Sequence, residues 1–312
     1  MVIPSVVVLE ALSAEEVGEV EELVAAAAAS DGGHPVSEAA LLALRDAASG
    51  ARHLLLREGG AVAGYAQLPA TGGAELLVAP GARRRGAGTA LAEALEGAAA
   101  ASGEPLRVWA HGHGAGAAAL ARERGYAVVR ELQHRVRPLG RSAPLPPVDV
   151  PDDVQIRAFE VGRDERAWLD LNARAFADHP EQGRWTAADL AARQAEPWFD
   201  PAGLLLAVDA QEGRLLASHW TKHEGGDPAA GAGGGAGEVY VVAVDPGAQG
   251  RGLGRAVLLA GLHHLDTRGC RSAELYVEGD NAPALRLYEG LGFALDSSDA
   301  LYERTAAPAD RG

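Results

Sequence analysis

Val242-Ala243-Val244-Asp245-Pro246-Gly247-Ala248-Gln249-Gly250-Arg251-Gly252-Leu253-Gly254 reads as an apolar strand, a proline stop and a glycine-rich turn. Pro246 ends the strand, and the spacing that follows predicts a helix over Arg251 to Thr267. Glycines at the mouth of a helix let a ligand approach the backbone. The first-turn amides and the helix dipole attract anions there, and Arg251 and Arg255 add positive charge. A pyrophosphate is the natural guest. The Gly-Lys-Ser/Thr ending of the nucleotide-hydrolase loop is absent. No Gly-x-Gly-x-x-Gly occupies the first strand-helix turn of a domain, which excludes a dinucleotide fingerprint.

The same pattern occurs once more. Leu76-Leu77-Val78-Ala79-Pro80-Gly81-Ala82-Arg83-Arg84-Arg85-Gly86-Ala87-Gly88 overlays the quoted stretch at an offset of about 166 positions. Farther on, Leu106-Arg107-Val108-Trp109 falls on Ala273-Glu274-Leu275-Tyr276, and Arg124-Gly125-Tyr126 on Leu291-Gly292-Phe293. A repeat of half the chain means domain duplication, not a solenoid. The prolines of Pro138 to Pro151 predict an extended linker. The expected domains are therefore 1–140 and 152–312, joined by 141–151. In the second half, helices are expected over Arg163 to Phe176, Trp185 to Gln194 after a Thr186 cap, and Ala282 to Leu291. Strands are expected at Val154 to Arg157, Leu204 to Val208, Leu215 to Lys222, Glu238 to Val244, Ser272 to Val277 and near Leu301. Gly225 to Gly237 reads as a hairpin loop. The pattern predicts a mixed α/β (α+β) fold, a mixed central sheet flanked by helices in each half.

Composition narrows the function classes. Apolar residues are 47 % of 312 and the net charge is −15. Such a chain is globular, and it lacks the basic face that nucleic acids and membrane surfaces require. The single cysteine, Cys270, excludes an internal disulfide and reads as a core residue. His263 and His264 are adjacent on a helix and point to different faces, so no metal is expected. Met1 to Glu10 has no basic region and no apolar run reaches spanning length, which makes the cytoplasm the expected location.

The Gln-x-x-Gly-x-Gly turn after a strand ending in Val-x-Pro resembles the acyl-CoA motif of the GNAT acetyltransferase superfamily. Asn281-Ala282-Pro283-Ala284-Leu285-Arg286-Leu287-Tyr288-Glu289-Gly290-Leu291-Gly292-Phe293 is similar to its downstream motif. The resemblance implies two tandem GNAT domains with acetyl-CoA as co-substrate. Val242, Ala243 and Val244 would bond the pantetheine arm. The amides of Gln249, Gly250, Arg251, Gly252, Leu253, Gly254 and Arg255 would hold the pyrophosphate. Asn281, Ala282, Pro283, Ala284, Leu285 and Arg286 would line the far side. In the first copy the matching positions are Leu76, Leu77 and Val78, then Arg84, Arg85, Gly86, Ala87, Gly88 and Thr89.

Amide formation from a thioester needs a neutral amine and a proton for the departing thiolate. Glu238, at the start of the strand bearing the polarising amides, is the candidate base. Tyr288 is the candidate acid by family resemblance. At the same offsets the first copy has Gly72 for Glu238, Ala121 for Tyr288 and Gly114 for Asn281. It therefore reads as a binding or structural copy.

His179-Pro180-Glu181-Gln182-Gly183-Arg184-Trp185-Thr186, His219-Trp220-Thr221-Lys222-His223 and Gly237-Glu238-Val239-Tyr240-Val241-Val242 resemble the mycothiol synthase family. That resemblance implies acetyl transfer to the cysteinyl amine of cysteinyl-glucosaminyl-inositol. Glu181, Lys222, Glu238 and Tyr276, with Glu38 from the first domain, would contact this small-molecule partner. Duplication already supplies a domain pair, so a monomer is expected. Two rivals stay open at this point: an acetyltransferase for another amine, such as an aminoglycoside or polyamine, and a non-catalytic acyl-CoA sensor.

Overall fold

The computed structural model describes residues 5–100, 105–112, 114–177, 182–223 and 234–304. Side-chain caps fix where this chain turns helical. The Ser13 hydroxyl accepts from the Glu16 amide while the Glu16 carboxylate accepts from the Ser13 amide, which starts α1 (Ala14–Asp31). Gly32, at φ 76°, stops it. Thr186 and Asp189 form the same box ahead of α6 (Ala187–Gln194), and Asn281 caps α8 (Ala282–Gly290).

The chain divides into two compact units: Met1–Gln133 with Glu278–Asp280 and Ser297–Gly312, and His134–Val277 with Asn281–Asp296. In the first, β1 (Val6–Leu9), β2 (Arg52–Glu58), β3 (Ala61–Leu68), β4 (Ala74–Val78) and β5 (Arg107–Ala110) are neighbours in that order. The part of β12 (Ala294–Arg304) from Ser297 onward follows β5. Only β4 and β5 are parallel. On one face Val20, Leu23 and Ala27 of α1 and Ala40 of α2 (Glu38–Ala43) pack on Leu55, Tyr65 and Leu77. On the other, Leu91 and Leu95 of α3 (Ala87–Ala99) pack on Leu54, Leu56 and Ala66. Ala121 of α4 (Ala115–Glu123) packs with Ala300 and Tyr302.

The second unit repeats the arrangement. β7 (Val154–Ala158), β8 (Leu204–Asp209), β9 (Leu215–Lys222), β10 (Ala236–Val244) and β11 (Ser272–Glu278) are followed by β6 (Tyr126–Pro138), which contributes its part from His134. β10 and β11 are parallel, and β7 with β8, β8 with β9 and β9 with β10 are antiparallel. α7 (Leu253–Thr267) and α8 cover one face with Leu258, Leu262, Tyr288 and Leu291. α5 (Glu165–Ala175) and α6 cover the other around Trp168 and Trp220, both 0 % exposed.

The mixed α/β class matches the expectation, and the elements expected in the second half form within a few residues of their expected bounds. Most of the 225–237 loop lies outside the described residues. The units differ from the expected 1–140 and 152–312 at both boundaries. Residues from His134 onward belong to the second, and those from Ser297 to the first. The reason is strand pairing: β12 sets Ala300 opposite Ala110 and Tyr302 opposite Val108, a tertiary choice that no local pattern encodes. The expected linker has no regular structure, but it is not a free spacer. Leu145, Val148 and Val150 pack on the second unit's core, and the Pro146 carbonyl bonds His263 Nε2 at 2.9 Å.

Candidate active site

A bulge sets the geometry of β10. The strand pairs with β9 from Ala217↔Val244 to Trp220↔Val241, skips Tyr240, and resumes at Thr221↔Val239. One extra residue inverts the period-two alternation. Val239 accordingly packs in the cluster around α7, whereas Val241 packs among the tryptophans. Tyr240 is pinned there: the Arg193 Nε donates to its hydroxyl at 2.9 Å, and the same guanidinium lies 3.8 Å over the Trp185 ring.

On its other side β10 pairs with β11 at Ala236↔Ser272, Gly237↔Ala273 and Glu238↔Glu274, and the pairing ends there. The strands fork beyond Glu238, which leaves Val242, Ala243 and Val244 on an open edge. Gly237 sits tightly just before the fork: a Cβ there would lie 2.6 Å from the Leu265 side chain, which would have to shift.

The glycine turn completes the fork. Gly250 and Gly252 have φ of 79° and 78°, and Gly252 is the N-cap of α7. A Cβ on Gly254 would press Val244 at 3.3 Å, so this glycine brings the helix mouth onto the end of β10. The first unit is built alike: Arg84 and Gly86 have φ of 61° and 90°, and Gly88 faces Val78 and Leu120. Arg84 is the one described non-glycine residue with positive φ, a conformation that costs about 1–2 kcal/mol. Both turns therefore present first-turn amides, including those of Leu253 and Arg255 and of Ala87 and Thr89, to an anion. The extra positive charge is smaller than expected. Arg251 is paired with Asp153 at 2.7 Å, Arg83 with Asp31 at 2.7 Å and Arg85 with Glu58 at 2.9 Å. Arg255 and Arg84 are exposed.

Glu238 is partly exposed and lies 4.0 Å from Lys222 Nζ, which is itself 5.4 Å from the Trp198 ring centroid. Tyr288 is 9 % exposed, its ring packs edge-on to Phe293, and burial pushes its hydroxyl up to about 12. It holds its proton at neutral pH and so has one to give. Arg137 of β6 anchors the end of α8 by donating to the Leu291 carbonyl at 2.7 Å. Asn281, Ala282, Pro283 and Arg286 are exposed along the start of α8, and Ala284 and Leu285 pack on the core. Tyr276 is exposed and stacks on His134 at 4.8 Å, with Glu274 and Asp296 3.4 and 3.2 Å from that imidazole. In the second unit Glu238 stands opposite Lys222 on β9 and Glu274 on β11, Tyr276 lies two residues further along β11, and Tyr288 packs in the cluster that holds Val239, Leu275 and Val277. Glu181 lies outside the described residues. Glu38 is exposed at the start of α2, in the first unit.

His219 is a structural residue. It is 0 % exposed, burial lowers it to about 4, and Gly261 makes room for its ring. Among the described residues no three His, Cys, Asp or Glu side chains gather as a metal site, and no helix is long and apolar enough to cross a membrane.

In the first unit β4 pairs with β3 from Gly64↔Val78 to Gln67↔Glu75 and with β5 at Ala74↔Val108 and Glu75↔Trp109, and Gly72 and Gly73 precede that pairing. A Cβ on Gly73 would meet the Trp109 ring at 2.7 Å. The sequence reading missed a cluster beside it. His111 lies 3.3 Å from Glu75 and 3.0 Å from Asp299, and Ser37 donates its amide and hydroxyl to Glu75 at 2.8 and 2.6 Å. Burial opposes the imidazolium, yet Asp299 and Glu75 raise it to about 9. Burial likewise opposes the Glu75 charge, but hydrogen bonds from His111 and Ser37 outweigh it and hold the carboxyl below its usual range. Only an acid in the sheet interior (Glu75, three residues before Val78) could have signalled the cluster.

A duplicated forked sheet with a helix mouth at each fork defines an acyl-CoA-dependent transferase fold. The acetyltransferase (GNAT) family model matches residues 19–126 and 165–293. A mycothiol acetyltransferase of Thermomonospora curvata is 55 % identical over 94 % of this chain and 95 % of its own. One of Actinosynnema mirum is 50 % identical over 94 % and 97 %. Among solved structures, a GCN5-related N-acetyltransferase from Sphaerobacter thermophilus superposes with a TM-score of 0.69 at 23 % identity, covering 97 % of both chains. A tandem GNAT protein from the clavulanic acid biosynthesis pathway gives 0.64 at 21 %, covering 97 % and 99 %. The chain belongs to the mycothiol acetyltransferase family of tandem GNAT proteins. It is an acetyl-CoA-dependent N-acetyltransferase.

Proposed function

We propose that the second unit transfers the acetyl group of acetyl-CoA to the cysteinyl amine of cysteinyl-glucosaminyl-inositol, giving mycothiol. The observation that carries this reading is the end of the β10–β11 pairing at Glu238, with Lys222 4.0 Å away. A carboxylate then stands where the strand edge becomes free to bind a thioester. Val242, Ala243 and Val244 offer main-chain groups to the pantetheine arm and the thioester carbonyl. The amides from Gln249 to Arg255 hold the pyrophosphate, and Asn281 to Arg286 flank the coenzyme. Glu238 takes the proton of the substrate ammonium, directly or through water. The freed amine attacks the thioester carbon, the C–S bond breaks as Tyr288 gives its proton to the departing thiolate, and the surplus proton on the new amide nitrogen passes through water to restore the Tyr288 hydroxyl. Lys222, Tyr276 and Glu181 meet the sugar and inositol hydroxyls. The first unit's turn, from Leu76 to Thr89, holds a second acyl-CoA without turning it over, because His111 is kept protonated and Glu75 is already engaged by Ser37 and His111.

Release of CoA from acetyl-CoA, followed with the cysteinyl substrate and a panel of other amines, tests this. Turnover with the cysteinyl amine should fall about 100-fold or more in Glu238→Gln and in Tyr288→Phe. Turnover on another amine alone would sink the substrate assignment. Acetyl-CoA binding without turnover on any amine would sink the catalytic one.

A further inference from the structure

The first unit contains an open cavity of about 400 Å³ with no part in the proposed chemistry, within the size range of small-molecule sites. Glu75, the last residue of β4 paired to β5, lines it, as do Trp109 opposite and His111 just beyond. The cavity thus opens at the point where β4 and β5 fork. Running back along the chain, the turn at Arg84 to Thr89, the open edge of β4 from Val78 to Leu76, Glu75 and the cavity at Gly73 follow one another in that order. A pyrophosphate on the turn and a pantetheine arm on the edge would deliver a thioester to Glu75 and its acyl group to the cavity.

The walls set the class of acyl group. Apart from the cluster at Glu75, Ser49, Gln67 and Thr71 are the polar residues of the wall, and most of the rest is apolar, including Ala43, Ala70 and Trp109. An acetyl group would leave most of this space unfilled. The cluster itself, two carboxylates around one imidazolium, carries a net charge of −1 and repels an acyl group that ends in a carboxylate.

We infer that the first unit binds an acyl-CoA whose acyl chain is longer than acetyl and uncharged, with the chain in the cavity beside Trp109. This rests on the reading of the first turn as a CoA site.

Isothermal titration of the full chain with CoA, acetyl-CoA, hexanoyl-CoA and succinyl-CoA tests it. Two sites are expected, one of which takes hexanoyl-CoA about tenfold or more tighter than acetyl-CoA and takes succinyl-CoA more weakly than either. Ala70→Phe, at an exposed position on the cavity wall, should abolish the preference. It should leave two acetyl-CoA sites and the initial rate of acetyl transfer unchanged, and Ala43→Phe gives a second variant. Two sites with no acyl preference, or a preference that survives both variants, would overturn the inference alone. One site for every ester would overturn the first CoA site and the inference with it. Absence of acetyl transfer with the preference intact would count against the proposed reaction and leave the inference standing.

Discussion

Replacing His111 with glutamine removes the charge that holds Glu75, Asp299 and the end of β5 together. The imidazolium is raised from 6.5 to about 9 at a side chain 15 % exposed. A folded-state value above the unfolded one stabilises the charged form. The contribution is fully present below pH 6.5 and is lost as pH rises through about 9. At about 1.4 kcal/mol per unit, the cluster adds roughly 3 kcal/mol near pH 6.5, about 1 at pH 8 and almost nothing at pH 10. Scanning calorimetry of wild type and His111→Gln from pH 6 to 10 measures the difference. Hydrogen exchange at the Trp109–Leu301 pairing assigns it to the first unit. The two proteins should differ most at the acid end and converge by pH 10. A difference that is constant across the range would refute the reasoning, since it would mean His111 acts by packing and not by charge.

His219 gives the opposite flank in the second unit. Lowered to about 4 and fully buried, it contributes stability above pH 6.5 that is lost as pH falls toward 4, so acid scans should melt the second unit first, and His219→Phe should flatten that slope. Gly261→Ala would set a Cβ 2.0 Å from the His219 ring; urea titration should show about 1–3 kcal/mol of lost stability, with acetyl-CoA affinity preserved if the protein still folds. Gly252→Ala forces an alanine to φ 78° and should weaken acetyl-CoA binding at the second unit in equilibrium titrations, leaving one normal site. His134→Ala takes away the ring under Tyr276 and should raise KM for the amine several-fold, while KM for acetyl-CoA stays near wild type.

Much of this site was legible because its parts are local. The glycine turn, the Asn281 cap and the proline after Val244 are contiguous residues whose backbone demands can be read directly. The bulge was not legible. Gly237 to Val244 is apolar nearly throughout apart from Glu238, so nothing in the pattern marks Tyr240 as the residue that shifts the register. His111 and Asp299 are 188 positions apart, and a pair at that separation leaves no trace in spacing. The salt bridges of Arg251, Arg83 and Arg85 were hidden for the same reason: an arginine beside a phosphate turn looks the same in sequence whether it faces the turn or a distant carboxylate.

The placement of β12 has a consequence for synthesis. Arg107 on β5 and Glu303 on β12 form an ion pair across 196 positions. At roughly 5–20 residues per second, β5 waits about 10–40 s for its partner to leave the ribosome. The domain begun first is therefore completed last. Until then β5 presents an unpaired edge, the part of a sheet most open to wrong partners, in a crowded cell. A nascent chain stalled or cleaved before Ser297 would release a second unit with its core sequence complete and a first unit still lacking a strand. The cell's quality control would meet that defect at the N-terminal half, although the missing residues lie near the other end.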